Sequence, residues 1–173
     1  LYGVVTATFH LLYAIIVLSH NRRRIVHFDV TENPTQGWAT EQVAKAFSNY
    51  PKPKYLVRDR DAIFGKEFCK RMRDMRIIQK VTMRQSPWQN ALVERVIQTI
   101  RRECLDHVII INPRHLRRML AAYVQYYNHT RTHLKLDKDS PVHRRIERPV
   151  RGKRIVAVPE VGALHHRYEW RAG

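Results

Sequence analysis

The sequence predicts a mixed α/β layer fold, on three observations. Residues 1–30 are dense in Val, Ile, Tyr and Phe and are split once, by the breaker cluster Ser19-His20-Asn21. Beyond them, apolar stripes at helical spacing alternate with the short apolar runs Tyr55–Val57 and Ile77–Val81. Pro51, Pro53, Pro87 and Pro113 stand at the changeovers, where a helix cannot continue. Strands, helix, strand, helix, strand, helices is an order that layers helices on a mixed sheet.

Taken in order, residues near Leu1–Val5 form a strand, and the run through Leu18 and on from Arg24 forms a hairpin around the Ser19 cluster. In its second arm Val26, Phe28 and Val30 alternate with Ile25, His27 and Asp29, so one set faces a core. Thr35 is positioned to cap a helix whose buried face is Trp38, Val43, Ala46 and Phe47. The Tyr55 strand ends in the polar residues Asp59, Arg60 and Asp61, at the kind of strand mouth where open α/β sheets hold ligands. Phe64, Phe68, Cys69 and Met72 mark the next helix, surrounded by Lys66, Lys70, Arg71 and Arg73. After the Ile77 strand, the turn at Ser86-Pro87 leads into a helix with the stripe Val93, Val96, Ile97, Ile100 and Cys104. Its more polar side carries Glu94, Gln98, Arg101 and Arg102. Asn112-Pro113 breaks that run, and Leu116, Met119, Leu120, Tyr123, Val124 and Tyr127 form the stripe of one more helix. From Pro141 the composition changes to Arg144, Arg145, Arg148, Arg151, Lys153 and Arg154 against Glu147 alone, which reads as a flexible basic linker. Ile155–Val158 with Pro159 and Gly162 then forms a short strand and turn.

The 173 residues, 44% of them hydrophobic, suffice for one domain with a core and a short appendage. Lys and Arg number 32 against 15 Asp and Glu, a formal charge of +17, which repels itself unless it meets a polyanion. Nucleic acid is the expected partner. Cys69 and Cys104 stand apart with no C-x-x-C pair, which argues for a reducing intracellular compartment and against a disulfide framework or zinc finger. His129 and His133 have the spacing that sets two rings on one helix face, but no third ligand accompanies them. Val4–Leu18 is too short and too polar for a membrane span, and no membrane partner is expected. A chain that begins on Leu1 is expected to be a fragment or a processed product.

Glu94, in the first turns of its helix, and Asp59, at the mouth of its strand, read as a metal-binding pair. Mg²⁺ and similar hard ions favour a few anionic oxygens completed by water and substrate phosphate. The same residues also fit plainer roles, Glu94 answering the positive end of a helix dipole and Asp59 capping a loop. Both readings stand at this point.

Asp59, the run Ser86-Pro87-Trp88-Gln89-Asn90-Ala91-Leu92-Val93-Glu94-Arg95, and Tyr126-Tyr127-Asn128 through Arg131-Thr132-His133 resemble, in order and spacing, the catalytic core of retroviral integrases and bacterial insertion-sequence transposases. Asp59 and Glu94 enclose 34 residues, close to the separation that family uses between its second Asp and its Glu; Asp61, the runner-up, would enclose 32. The resemblance covers residues 1–141 and leaves 142–173 as the basic linker and tail. It implies a ribonuclease-H-like fold, with a five-stranded mixed sheet flanked by helices on both faces. It also implies a triad of two Asp and one Glu holding two Mg²⁺ or Mn²⁺ ions for phosphodiester cleavage and strand transfer. Its relatives act as oligomers on paired DNA ends, so self-association on DNA is expected of this chain, at the nucleoid of the bacterial cytoplasm, and the domain that recognises the element's ends is expected upstream of it.

By this alignment the first Asp of the triad falls just before Leu1, in a core truncated within strand one, so weak metal binding and impaired cutting are expected. Asp29 is no substitute. The family's third strand lies three spacings from the strand that bears Asp59, about 14 Å away, which makes Asp29 structural or solvent-facing. The resemblance implies DNA contacts near the scissile bond for Lys80, Arg84, Gln89, Asn90 and Arg95. Arg101, Arg102, Arg117 and Arg118 are positioned along phosphate, which gives affinity without sequence preference. Trp88 either stacks on a base or fills core, and Tyr123, Tyr126 and Tyr127 are packing residues. Two rivals remain: a folded but catalytically dead DNA-binding remnant, and a basic structural RNA-binding protein.

Overall fold

A computed structural model of the chain describes residues 1–48, 50–83, 90–145, 147–149 and 151–173. Strands β1 (Tyr2–Val5), β2 (Leu11–Leu18) and β3 (Ile25–Thr31) form an antiparallel sheet in that order. The central strand β2 is apolar along its whole length because both of its faces are covered. Leu12 and Ala14 enter one buried cluster, and Ile15 and Val17 enter the other.

One detail of β3 departs from the alternation read in the sequence. Val17 pairs with His27 but Leu18 pairs with Ile25, leaving Val26 as a bulge. Ile25 therefore joins Phe28 and Val30 in the first cluster, while Val26 packs on the second. Grouping Ile25 with His27 and Asp29 fails here because one extra residue inverts every face beyond it.

On the second cluster lies α1 (Gln36–Ala46), with Thr35 Oγ1 accepting the Trp38 N–H at 3.1 Å as its cap. Strands β4 (Tyr55–Arg58) and β5 (Ile78–Val81) pair in parallel, which requires a crossover. Helix α2 (Lys66–Asp74) supplies it and buries Phe68 and Met72 in the same cluster. On the opposite face, α3 (Ala91–Glu103) and α4 (Pro113–His129) pack Val96, Ile100, Cys104, Leu116, Leu120 and Tyr123 against Leu12, Ala14 and Val30. Asn112-Pro113, read as a break, is also a start: Asn112 Oδ1 accepts the His115 N–H at 2.8 Å and Pro113 opens the helix.

The C-terminal piece is larger than one strand and a turn. Strands β6 (Lys153–Glu160) and β7 (His165–Ala172) form a regular antiparallel hairpin. Its turn residue Val161 is buried in the α3–α4 cluster. The His165 ring stacks on Tyr126 at 4.2 Å, and its Nε2 lies 2.8 Å from the Glu103 carbonyl oxygen. The hairpin thus shares the main core.

Helices do flank the sheets on both faces, but the expected single five-stranded sheet is divided. Among the described residues the strands form ladders of three, two and two. Among the described residues β1 meets β2 only from Leu11 to Ala14, Ile15–Leu18 have no strand partner on that side, and β4 pairs with β5 alone. These two open edges line one cavity of about 400 Å³, together with Val43, Phe47, Phe64 and Phe68. Among the described residues this cavity separates the two ladders.

Candidate active site and nucleic-acid surface

The parallel pairing of β4 with β5 sets Arg58 opposite Val81, so both strands open onto the same edge of the sheet. Thr82 N donates to the Arg58 carbonyl at 2.9 Å, and Arg60 Nε donates to the Thr82 carbonyl at 2.9 Å. Arg58 is fixed on the inner side. Its Nε donates to Gln79 Oε1 at 2.8 Å, its Nη1 donates to the Asp59 carbonyl at 3.0 Å, and its guanidinium lies over the Phe64 and Phe68 rings. Asp59 is therefore held from both sides. Its Oδ1 accepts the Asp61 N–H at 3.2 Å, Asp61 Oδ1 accepts the Ile63 N–H at 3.1 Å, and no described group bonds to Asp59 Oδ2.

Asp59 lines the 400 Å³ cavity together with Asn90 and Val93 from the start of α3. Glu94 follows on the first turn of that helix and is exposed, with no described ion pair or hydrogen bond. Asp61 instead lines a separate cavity with Tyr13, Pro34 and Gln36. The geometry thus brings the Asp59 loop, and not Asp61, to the α3 end.

No group of three or more His, Cys, Asp or Glu side chains suited to a metal ion occurs among the described residues. The free Asp59 Oδ2 and the exposed Glu94 carboxylate have the chemistry of donors to one hard divalent ion whose other positions are filled by water and phosphate. They do not fit two. Asp29 is engaged elsewhere: its Oδ1 accepts from Arg117 Nε at 2.9 Å and from Val30 N at 2.7 Å, and Arg117 Nη2 bonds the Val30 carbonyl. Partial burial alone would raise the Asp29 carboxyl, but these bonds outweigh it and hold the group below its ordinary value. Its role is to tie β3 to α4.

The basic residues separate by what already holds them. Lys80 is exposed on β5, with its ammonium 5.5 Å from the Tyr55 ring centre. Asn90 occupies the cap position of α3 without making a side-chain cap bond. Arg95 and Arg102 are exposed and have no described carboxylate partner. Arg101 is anchored, donating from Nη2 to the Gly3 carbonyl at 2.9 Å. Arg117 is tied to Asp29, and Arg118 is exposed. Arg84, Gln89 and the Ser86-Pro87-Trp88 turn lie outside the described residues. Tyr123 and Tyr127 are buried, as packing residues should be.

His129 and His133 do not share a helix face, because α4 ends at His129. His133 lies beyond the helix, buried against Tyr127, with its backbone bridged to Asp139.

A network that sequence reasoning missed joins the other end of α3 to α4. Glu103 accepts Arg131 Nε at 2.8 Å and Nη2 at 2.7 Å, and Tyr123 Oη at 2.7 Å. Burial acts to raise the Glu103 carboxyl, and the Arg131 and Tyr123 bonds more than reverse it, leaving the group below its usual value. Glu103 and Arg131 lie 28 residues apart, so no local pattern announces the pair.

No described helix is long and apolar enough to cross a membrane. No curated protein sequence matches the chain. Residues 75–141 match the family profile of the integrase core domain. Among solved structures, the chain is similar to a chain of the simian T-cell lymphotropic virus intasome in complex with the PP2A regulatory subunit B56 gamma, at 12% identity and a TM-score of 0.67. That match covers 99% of this chain and 64% of the other, so the protein spans less than two thirds of its length. It is similar to the HTLV-2 integrase catalytic core domain in complex with magnesium, at 14% identity and TM-score 0.62, covering 79% of this chain and 88% of that one. The catalytic core domain of BIV integrase matches at 11% identity and TM-score 0.59, covering 81% and 87%. At such identities the structural likeness speaks for the fold, which is the ribonuclease-H-like fold of integrase cores. Residues 75–141 thus carry the integrase core domain profile, within a chain that has the fold of integrase catalytic cores.

Proposed function

We propose that the chain is the catalytic core of an insertion-sequence transposase or integrase, acting on DNA phosphodiesters in the bacterial cytoplasm with a divalent metal. One observation carries this reading: Asp59 and the first turn of α3, which bears Glu94, flank one cavity at the open edge of the parallel strands. The core spans residues 1–141, and pairing between the open edges of β2 and β4 by a segment in line with β1 would join the ladders of three and two into one five-stranded sheet.

Mg²⁺ or Mn²⁺, when bound, supplies polarisation of a phosphodiester. Asp59, fixed through Arg58 and its own loop, offers the free Oδ2 oxygen, and Glu94 offers a carboxylate from a helix end. Lys80, Asn90 and Arg95 around them position backbone phosphate, together with Arg84 and Gln89. The remaining basic surface supplies affinity for DNA, and copies of the chain associate on it.

The two-carboxylate site favours a second reading, a remnant that binds DNA but cuts it poorly. Calorimetric titration of the chain with Mn²⁺, followed by a strand-transfer assay on labelled duplex, separates the two. Metal uptake and metal-dependent strand transfer, both lost in Glu94→Gln and Asp59→Asn, establish the enzyme. DNA binding with neither metal uptake nor strand transfer establishes the remnant.

A further inference from the structure

The β2–β3 turn, the flank of α3 and the segment leaving α4 enclose a cleft of about 320 Å³. Its walls carry Arg23, Arg95, Arg131 and Lys135 and no carboxylate. Arg131 is engaged with Glu103, whereas Arg23, Arg95 and Lys135 form no ion pair with any described acid. A chain of this charge gathers cations by chance, but its larger cleft, beside the β6–β7 hairpin, interleaves them with Asp137, Asp139, Glu147 and Glu169. Three uncompensated cations around one concavity repel one another until an anion sits among them.

The backbone points the same way. Arg22 and Arg23 both adopt left-handed conformations, at φ 52° and 57°, which side-chain-bearing residues seldom do in succession. Arg22 holds the turn in that state by bonding Asp139 Oδ2 at 2.5 Å and the carbonyls of Ser140 and Pro141 at 2.8 and 3.0 Å. The neighbouring Arg23 is thereby set on the cleft wall. Buried Val96, Tyr127 and His133 line it as well. Leu18 lines both this cleft and the cavity that holds Asp59, so the two are neighbours.

We propose that this cleft is a phosphate site for the nucleic-acid backbone, in which Arg23, Arg95 and Lys135 hold a phosphate neighbouring the one at Asp59 and Glu94. The inference rests on the DNA-processing reading above and adds a site to it.

The test is equilibrium binding of the full chain to a labelled DNA duplex, in EDTA, across a series of KCl concentrations. The variant Arg23→Asn with Lys135→Ala removes two cleft charges, and Asn tolerates the left-handed position. Its matched control is Arg71→Ala with Arg73→Ala, on the exposed side of α2. The expected result is an affinity about tenfold lower for the cleft variant, with the slope of log K against log salt reduced by about one, as for the loss of one phosphate contact. The control should change affinity less than about threefold. Lys135→Ala alone, which leaves the turn untouched, should lower affinity more than the control does. Equal weakening of cleft variant and control, with the unaltered chain still binding duplex, overturns the phosphate site and spares the broader reading. No duplex binding by the unaltered chain overturns both.

Discussion

Helix α3 carries a glutamate near each end, and the two are used in opposite ways. Glu103 receives a two-pronged bond from Arg131 and a third from Tyr123, and its own carbonyl meets His165. Glu94 stands exposed on the first turn beside a cavity, with no described partner. A satisfied carboxylate contributes to the fold and is poorly available to a ligand. One left unsatisfied at a helix start contributes little to stability and remains free for a cation. The comparison teaches that sequence position on a helix says less about a glutamate's task than the company that tertiary packing gives it.

The largest expected effect lies at the satisfied end. Glu103→Gln removes the acceptor charge and leaves Arg131 and the Tyr123 hydroxyl under-paired in a partly buried setting. The side chains of Glu103 and Arg131 are about a quarter exposed, so the loss should fall below that of a fully buried pair, at about 2–3 kcal/mol. Urea denaturation at neutral pH measures it, and a midpoint equal to that of the unaltered chain would remove the basis of the comparison. Acid sharpens the point. Because the folded Glu103 carboxyl titrates below its ordinary value, its contribution is complete above that value, near 4.5, and is lost as pH falls through the folded value. The stability gap between the unaltered chain and Glu103→Gln should therefore narrow below about pH 4.5. A gap that widens there would mean the carboxylate is not stabilised by folding.

A smaller effect is expected where the hairpin joins the same end. His165→Ala loses the stack on Tyr126 and the bond to the Glu103 carbonyl, together about 1–2 kcal/mol. If β6 and β7 share the main core, the whole chain should melt at a lower temperature in a single transition. Early proteolytic release of the hairpin, with the midpoint of the remainder unchanged, would show it to be an independent appendage.

Much of this arrangement was legible in the sequence because it is local. The Thr35 cap, the apolar stripes of α2, α3 and α4, and the short runs that became β4 and β5 follow from spacing alone. The Val26 bulge was not legible, since it depends on the register of a partner strand. Strand β7 was missed for a different reason. His165–Ala172 alternates charged and aromatic residues with little apolar content, and it is held by pairing with β6 and by Tyr126. The pairing of Glu103 with Arg131 and the gathering of Arg23, Arg95 and Lys135 around one cleft join distant segments and have no local signature. Reading Asp59 and Glu94 as a pair drew on resemblance to a family pattern, whereas the interrupted sheet was not legible, because it turns on which strand edges find partners.

The smallest change in stability is expected at the exposed end, where the functional reading is most exposed to refutation. Glu94→Gln removes one charge from the first turn of α3, which should cost about 0.5 kcal/mol through the helix dipole and nothing through packing. Asp59→Asn is similarly mild, because the amide oxygen still accepts the Asp61 N–H that organises the loop. Each substitution should nevertheless abolish Mn²⁺ uptake measured by calorimetry, since a lone carboxylate is a poor ligand for a strongly hydrated ion. Duplex affinity in EDTA should hold or rise slightly, as one negative charge leaves the neighbourhood of phosphate. Were Glu94→Gln instead to destabilise the chain as much as Glu103→Gln, the two glutamates would be alike. Glu94 would then be a structural residue, and the cavity beside it a gap in the sheet with no metal chemistry of its own.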